Sequence, residues 1–163
     1  MAPPREVRRL PAATAAYIAG LVDGEGTVTL SRQHRNEGRR LTLSISSTER
    51  VLLEFVKDAV GAGRITGKRT YSARHAPSYA YAVTSRQAIA VLEQIAPHLR
   101  SYKKSRATLA LRHYVELTPR NGRYTRELRD LRARFEMIFL ALRPEYGHTA
   151  KSSEKAQCIP RES

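Results

Sequence analysis

Two short stretches in the first third of the chain alternate apolar and polar residues. Val28 and Leu30 occupy alternate positions of the first stretch, residues 27–33, and residues 40–46 repeat the pattern. A period of two residues is typical of strands that bury one face of a sheet. A polar, basic loop at residues 34–39 joins the two stretches, so the pattern predicts a β-hairpin.

Elsewhere, apolar residues recur at intervals of three and four, which is typical of helices that bury one face. The first helix is Ala-rich, and the run Asp23-Gly24-Glu25-Gly26 is predicted to stop it in a tight turn. Thr48 is the predicted N-cap of the second helix, and Gly61 ends it. The pattern predicts helices at residues 13–22, after Thr48, after Ser85, at 103–117 and at 126–142, and further strands at 64–70 and 79–84.

This order, αββαββα followed by further helices, predicts an α+β fold. Four antiparallel strands are expected to form one sheet with helices on one face. The outward strand residues are mostly Thr, Ser, Arg and Tyr, and a curved antiparallel sheet with such a face can lie in the major groove of DNA. Ordinary solvent-facing residues are the alternative explanation. We expect a flexible N-terminal tail at residues 1–12, a single domain at 13–142 and a C-terminal tail at 143–163.

The net charge favours a polyanionic partner. Lys and Arg number 29 against 15 Asp and Glu, which gives a net charge of +14. Charges of one sign repel each other in a compact domain, and binding to nucleic acid offsets this repulsion. An anionic membrane surface would require one strongly amphipathic basic helix, whereas the arginines here are spread along the chain. We therefore expect double-stranded DNA as the partner, with neither a membrane nor a small-molecule substrate.

The sequence predicts neither a secretory signal nor a membrane helix, and neither a disulfide nor a zinc site. No apolar run approaches the roughly 18 residues of a membrane helix, and the Pro- and Arg-rich start does not resemble a secretory signal. Cys158 is the one cysteine, so neither an intramolecular disulfide nor a Cys-based zinc site is predicted. The expected location is a bacterial cytoplasm or an organelle, as a soluble intracellular protein.

The segment at residues 17–26 carries the candidate chemistry. Small residues, among them Gly20 and Gly24, recur every four positions, and this spacing allows two helices to approach closely. Two carboxylates, Asp23 and Glu25, follow at the end of the helix, where the helix dipole disfavours negative charge. A divalent cation that prefers oxygen ligands, Mg²⁺ or Ca²⁺, would offset this cost. From spacing alone, a plain turn after a core helix remains the alternative.

The segment Ile18-Ala19-Gly20-Leu21-Val22-Asp23-Gly24-Glu25-Gly26 resembles the LAGLIDADG motif of homing endonucleases. Ile replaces the first Leu and Glu the final Asp, and both exchanges keep the character of the side chain. The αββαββα order also resembles the fold of this family, and the similarity extends over about residues 13–142. One copy of the motif is present, which is typical of family members that act as homodimers.

The resemblance implies a site-specific endonuclease that cuts each strand of a long pseudo-palindromic DNA site once and thereby starts intron homing. Glu25 of each subunit is expected to hold Mg²⁺ beside the scissile phosphates, with the Gly24 carbonyl as a further ligand. Mn²⁺ is expected to substitute, and Ca²⁺ to bind without cleavage. Lys103, with Lys104 as second choice, matches a basic residue near the reacting phosphate, and Ser47 takes the place of a residue that orients water.

Two motif helices, one from each subunit, are expected to pack along the two-fold axis of the dimer. The residues that the resemblance assigns to this interface are Tyr17, Ala19, Gly20 and Asp23. Asp23 is expected to serve the helix end rather than the metal. Two other functions of this fold remain open, an RNA-binding intron maturase and a non-catalytic DNA-binding regulator. Glu25 favours the nuclease, and we expect no room after residue 142 for the helix-turn-helix domain that regulators usually carry.

Readout of DNA is expected from the outward strand residues and from the basic loops at residues 34–39 and 69–77. Arg40 and Lys68 suit guanine, and Gln33 suits adenine. The two tyrosines of the fourth strand alternate and are expected to share the outward face. The predicted contacts are Thr29, Ser31, Gln33, Arg35, Arg40, Thr42, Ser44, Thr66, Lys68, Tyr79 and Tyr81.

The last predicted helix carries part of a regular arginine row. Every third residue from Arg120 to Arg132 is an arginine, and we interpret the row as a solvated face with acidic neighbours. Contact with DNA phosphates is the alternative. The residues expected to form the buried face of this helix are Leu128, Leu131, Phe135, Ile138 and Leu142.

Overall fold

The two alternating stretches form neighbouring antiparallel strands, as the pattern predicts. The structure is a computed structural model that describes residues 6–35, 37–68 and 76–145. Its elements are α1 (Ala12–Glu25), β1 (Gly26–Ser31), β2 (Arg40–Ser47), α2 (Arg50–Val60), β3 (Arg64–Lys68), β4 (Ser78–Thr84), α3 (Ser85–Ile95), a 3-10 turn (Ala96–His98), α4 (Lys103–His113) and α5 (Arg126–Ala141). In the described residues, four strands form one antiparallel sheet in the order β1-β2-β4-β3. The predicted α+β fold and element order are confirmed.

The sheet buries the face that α1, α2 and α3 cover. Leu41, Leu43 and Ile45 of β2 are almost fully buried, as their alternation predicts, and Tyr81 and Val83 continue this layer on β4. Each large apolar side chain removed from water in this way contributes about 1.5–3 kcal/mol. Both α4 and α5 contact β1, the edge strand. Within the described ranges, no helix combines the length and apolar composition needed to cross a membrane.

The first helix continues through Glu25 and passes into β1 without a turn, so the predicted tight turn is wrong. The backbone of Gly26 is extended (φ −102°, ψ 171°), and its N–H donates to the carbonyl of Val22. A Cβ at Gly26 would lie 2.5 Å from Cα of Val22 and 3.0 Å from the carbonyl oxygen of Ser44. Glycine is therefore required here for close approach of the helix to the sheet, and not for a left-handed conformation.

The C-terminal end of α2 agrees with the prediction, and its N-terminal end does not. Gly61 ends the helix in a left-handed conformation (φ 75°), as expected. The predicted N-cap, Thr48, is wrong because the helix begins later and Glu49 takes the cap position. The hydroxyl of Ser47 accepts the backbone N–H of Glu49 at 3.0 Å, so Ser47 stabilises the approach to the helix.

Residues 6–11, which we expected to be part of a flexible tail, pack against the domain. The backbone N–H of Arg8 donates to the carbonyl of Val60 at 2.8 Å, and the N–H of Leu10 donates to Oε1 of Gln94 at 2.7 Å. Leu10 is buried. The rest of the predicted N-terminal tail, and the predicted C-terminal tail beyond residue 145, lie outside the described residues.

The face that α5 buries also differs from the prediction. Leu131 and Ile138 are about half exposed, at 53% and 52%, whereas Phe135, Phe139 and Arg132 are buried. The predicted apolar row is therefore correct only in part. Arg132 belongs to the interior and not to a solvated face, because its guanidinium lies between aromatic rings and backbone carbonyls.

The close approach at Gly26 predicts a marked loss of stability in Gly26→Ala. The added methyl group meets backbone atoms that cannot move aside, so the free energy of unfolding should fall by about 2 kcal/mol or more. Urea denaturation followed by circular dichroism measures this change. Gly38→Ala is the matched control, because a Cβ at Gly38 meets nothing within 4 Å. Equal stability of the two variants would contradict the predicted packing.

Candidate functional site

Glu25 lies exposed at the point where α1 passes into β1. Its neighbour Gly26 is buried and holds the helix end against the sheet. Thr27, the first outward-facing residue of β1, follows directly. The carboxylate of Glu25 therefore lies at one end of the sheet, next to the first residue of its polar outward face.

Lys103, the first residue of α4, brings a buried ammonium group to the same helix end. Its Nζ donates to the carbonyl oxygens of Val22 at 2.8 Å and Asp23 at 2.9 Å. A cation here meets the negative end of the α1 dipole. Burial lowers the pKa of Lys103, while the carboxylates of Asp23 and Glu25 act in the opposite direction. Lys104 is exposed, so the structure places Lys103, and not Lys104, beside the carboxylates.

Asp23 fixes the chain segment that leads into α4. Its carboxylate accepts hydrogen bonds from the backbone N–H of Arg100 at 2.7 Å, the N–H of Ser101 at 3.1 Å and the hydroxyl of Ser101 at 2.6 Å. Burial alone would raise the pKa of Asp23, but these hydrogen bonds and the charge of Lys103 bring it below its ordinary value. This geometry agrees with the expectation that Asp23 serves the helix end rather than a metal.

The exposed carboxylate of Glu25 is suited to a hard cation whose other ligands come largely from outside the protein. No cluster of three or more His, Cys, Asp or Glu side chains occurs in the part of the chain that the structure describes. Mg²⁺ is commonly held by one or two carboxylates together with phosphate oxygens and several waters. An exposed carboxylate such as Glu25 suits this mode, and the carbonyl of Gly24 stays a predicted ligand.

Ser47, the predicted water-orienting residue, belongs to the helix-facing side of the sheet. It pairs with Tyr79 in the register that also pairs Ile45 with Tyr81, and both members of the second pair are buried. Its neighbour Ser46 faces outward and accepts a hydrogen bond from Nζ of Lys68 at 2.8 Å. The role of Ser47 in catalysis stays a prediction.

Most of the predicted DNA contacts share the outward face of the sheet. The hydroxyls of Ser31 and Thr42 form a hydrogen bond of 2.6 Å across β1 and β2, which shows that these side chains project together. Arg40 lies beside them and donates to Gln33 in the adjoining loop at 2.7 Å. The strand register places on one face the predicted residues Thr29, Ser31, Arg40, Thr42, Ser44, Thr66 and Lys68. Gln33 and Arg35 are exposed in the loop, and residues 36 and 69–75 of the two predicted loops lie outside the described residues.

The outward orientation predicted for Tyr79 and Tyr81 is wrong. Tyr81 is fully buried, its hydroxyl donates to the carbonyl of Ala62 at 2.9 Å, and burial raises its pKa. Tyr79 lies on the same side, where the guanidinium of Arg50 in α2 is 5.6 Å from the centre of its ring. The outward residues of β4 are instead the small ones at the alternate positions, beginning with Ser78.

The exposed face of α1 contains part of the predicted dimer interface. Tyr17 and Gly20 are exposed, and a Cβ at Gly20 or Gly24 would meet nothing within 4 Å in this chain. Ala19 is fully buried inside the subunit, so its assignment to the interface is wrong. The carboxylate of Asp23 is bound within its own chain. Tyr17 also contacts Phe55 of α2 edge-on, with 5.7 Å between ring centres.

Three residues near the site are not among the site residues predicted from the sequence. Arg64 faces outward on β3, and its two-residue spacing from Thr66 and Lys68 is a signal that could have identified it. Ser46 faces outward at the end of β2. The bond between Ser101 and Asp23 joins residues far apart in the chain, and no local pattern predicts it.

Comparison with known proteins agrees with this geometry. The sequence profile of the LAGLIDADG-like domain matches residues 12–96. The fold is similar to the crystal structure of the homing endonuclease I-CvuI in complex with its target in 2 mM Ca²⁺, with a TM-score of 0.67, 19% identity, and coverage of 85% of this chain and 87% of that chain. It is also similar to the homing endonuclease I-TnaI, with a TM-score of 0.59, 17% identity, and coverage of 80% and 88%.

A third similar structure is an archaeal intron-encoded homing endonuclease, I-Vdi141I, complexed with DNA. Its TM-score is 0.53 at 16% identity, over 81% of this chain and 85% of that one. A search of curated protein sequences found no match. Because the domain profile covers more than half of the sequence and the motif helix lies within the match, the chain belongs to the LAGLIDADG-like domain family.

Proposed function

We propose that the protein is a site-specific endonuclease that cuts both strands of double-stranded DNA and uses Mg²⁺. One observation carries the proposal: an exposed carboxylate, Glu25, and a buried ammonium group, Lys103, lie at the end of a sheet whose outward face is polar and basic. A surface that only binds DNA does not need an exposed carboxylate at the end of its polar, basic face, where it would repel phosphate. The two alternatives, a maturase and a regulator, have no observation of their own in their favour.

The similar proteins support DNA as the substrate. I-CvuI is bound to its target, and I-Vdi141I is complexed with DNA. A second I-CvuI complex, with the I-CreI target in 2 mM Mg²⁺, contains DNA that is not cleaved. The net charge of +14 supports the same partner, because counterions released from DNA phosphates favour the binding of basic proteins.

The residues at the end of α1 suggest how cleavage proceeds. Glu25, with the carbonyl of Gly24, would hold a divalent cation and orient the water that attacks the phosphorus. Mg²⁺ bound there would supply Lewis-acid activation of the phosphodiester and of the water. In the described residues, two of the three N–H donors of Lys103 bind carbonyls of α1. The third is available for a phosphate oxygen, where it would stabilise the negative charge of the transition state.

A second copy of the chain completes the site in this proposal. One chain supplies one Glu25, whereas cutting both strands requires a carboxylate at each scissile phosphate. The exposed face of α1, with open space at Gly20 and Gly24, allows a second α1 to approach at close distance. A homodimer with α1 at its axis would place the two Glu25 residues near each other and extend the two sheets in opposite directions along DNA.

Glu25→Gln should abolish cleavage while it preserves DNA binding. The amide has nearly the same shape but neither the negative charge that holds the cation nor a basic oxygen for the water. The substrate is a supercoiled plasmid that carries the joined sequences on either side of the element encoding this chain. We expect linear product with Mg²⁺ or Mn²⁺, and binding without cutting in Ca²⁺ or EDTA.

Glu116→Gln, at an exposed position of the α4–α5 connection, is the matched control for charge and should cut normally. Specific binding by the wild-type protein without cutting in any metal would disprove the nuclease. Cutting by Glu25→Gln at the wild-type rate would disprove the role of Glu25.

Lys103→Met should slow the chemical step by roughly 100-fold or more, because a donor to the transition state is lost together with the two hydrogen bonds that hold the end of α1 and position Glu25. The rate is measured in single turnover with protein in excess over DNA, so that binding does not limit it. Lys104→Met removes a neighbouring exposed charge and should leave this rate near the wild-type value. A similar loss in both variants would show that general charge, and not the position of Lys103, is responsible.

Gly20→Leu should weaken self-association about 10- to 100-fold, because a bulky residue enters a close helix contact from both subunits. Gly20 is exposed, and a Cβ there meets nothing within 4 Å in the subunit, so the secondary structure should be unchanged. Sedimentation equilibrium gives the dimer dissociation constant. Ala133→Leu, a similar change at an exposed position of α5, should leave association unchanged, and equal effects would argue against an interface at α1.

A further inference from the structure

Arg132 is buried in α5, with 8% of its surface exposed, although it ends a regular row of arginines. Its guanidinium lies 4.9 Å from the ring centre of Tyr114 and 5.6 Å from that of Phe135. A buried charged group is costly unless its donors are all used. The partners of these donors therefore indicate what Arg132 does in the molecule.

The donors of Arg132 connect α5 to the start of β2. Nη2 donates to the carbonyl of Arg39 at 2.7 Å, and Nη1 to the carbonyl of Leu117 at 3.4 Å and to the hydroxyl of Thr118. Nε donates to the carboxylate of Glu136 at 3.1 Å. One side chain thus joins the α4–α5 connection, α5 and the residue just before β2.

The backbone that follows Arg40 in β2 is also bound by a side chain from the helices. The hydroxyl of Tyr114, at the end of α4, accepts the backbone N–H of Leu41 at 3.2 Å in a buried environment. The Arg39 side chain adds contacts to the carbonyl of Leu30, at 3.3 Å, and to Glu136, at 3.5 Å. The backbone is therefore fixed on both sides of Arg40: Arg132 of α5 binds the residue before it, and Tyr114 at the end of α4 binds the residue after it.

Arg40 itself projects to the outward face. Its Nη2 donates to Oε1 of Gln33 at 2.7 Å and to Oε2 of Glu37 at 2.9 Å. These exposed contacts are individually weak in water, and DNA competes with them for the guanidinium. What remains fixed when DNA binds is the backbone on either side of Arg40, because its hydrogen bonds come from the interior.

Arg40 lies far from the reacting phosphate along the strands. It pairs with Ser31, the last residue of β1, whereas Glu25 directly precedes the first residue of that strand. Six steps along a strand, from Glu25 to Ser31, span about 20 Å, and one step along B-DNA is about 3.4 Å. Arg40 and Gln33 therefore reach base pairs about six positions away from the cut.

We propose that Tyr114 and Arg132 are positioning residues that set how Arg40 is presented to DNA, so that α4 and α5 determine base discrimination in the outer part of each half-site. This inference rests on the proposed function of the sheet in binding DNA. Its physical basis is that a bidentate contact to a base edge depends on the position of the guanidinium, which the backbone at residues 39–41 sets.

The test compares Tyr114→Phe, Arg132→Met and the control Arg134→Met, which alters an exposed arginine of the same helix. The probes are duplexes of the cleaved site and a set in which each base pair is replaced in turn. Affinity is measured in Ca²⁺, and single-turnover cleavage in Mg²⁺. Tyr114→Phe removes one hydroxyl only, so it keeps the test valid where Arg132→Met fails to fold.

Tyr114→Phe should lower discrimination at the outer base pairs about fivefold, the effect of losing one hydrogen bond to the backbone. Arg132→Met should lower it further at the same positions. Discrimination at the central base pairs and the cleavage rate at saturating protein should equal those of the wild type, and Arg134→Met should match the wild type throughout.

Unchanged discrimination at the outer base pairs in Tyr114→Phe, or an equal loss at all positions, would overturn the inference. Binding and cutting by the wild-type protein in the same experiment would then leave the proposed function intact. A wild-type protein that fails to bind any of the duplexes would overturn the proposed function, and this inference with it.

Discussion

The ammonium group of Lys103 stabilises the carboxyl end of α1, where helix carbonyls and two carboxylates concentrate negative charge. The last carbonyls of a helix lack partners within it, and two carboxylates, of Asp23 and Glu25, add negative charge where the helix dipole is already negative. The ammonium group of Lys103 donates to the carbonyl of Asp23 and to that of Val22, which also accepts the N–H of Gly26. Asp23 gains its own donors from Arg100 and Ser101, which leaves Glu25 as the exposed carboxylate. The position of Glu25, the start of β1 and the start of α4 all depend on this set of contacts.

Several arginines in this basic protein stabilise the fold rather than contact a partner. Arg106 is buried, and its donors reach the carbonyls of Val28 at 2.8 Å and Leu142 at 2.8 Å. Its guanidinium also lies 5.1 Å from the ring centre of Tyr102. Together with Arg39, it satisfies backbone oxygens of the edge strand β1, which would otherwise offer a free edge for pairing. A count of basic residues therefore overstates the charge available to bind DNA.

The two faces of the sheet carry different kinds of side chain. The face toward the helices is filled by large apolar residues and by Tyr81, while the outward face carries hydroxyls and long basic side chains. On β4 the outward positions are small, Ala80 and Ala82 among them, so Lys68 on β3 can reach across the strand to Ser46 on β2. The outward surface is therefore continuous from β1 to β3, as the proposed contact with a DNA groove requires.

The sequence predicts the orientation of some site residues correctly and of others wrongly, and the difference has a physical cause. Strand alternation has a fixed period, so β1 and β2 were predicted with the correct faces from the sequence. On β4, tyrosines suit either face because they combine a large apolar ring with a polar hydroxyl. Only the pairing of Tyr81 with Ile45, and a carbonyl at Ala62 for its hydroxyl, decides that it is buried.

The order of elements, the motif helix and the carboxylate at its end follow from the amino-acid sequence, because they depend on local periodicity and on a contiguous motif. Three features follow only from the folded chain: Gly26 makes a close contact instead of a turn, Ala19 lies inside the subunit and Arg132 is buried. Each of these depends on atoms from distant parts of the chain: Ser44 approaches Gly26, and Arg39 and Tyr114 surround Arg132. A local pattern cannot contain that information, because burial and hydrogen bonding are set by which segments meet.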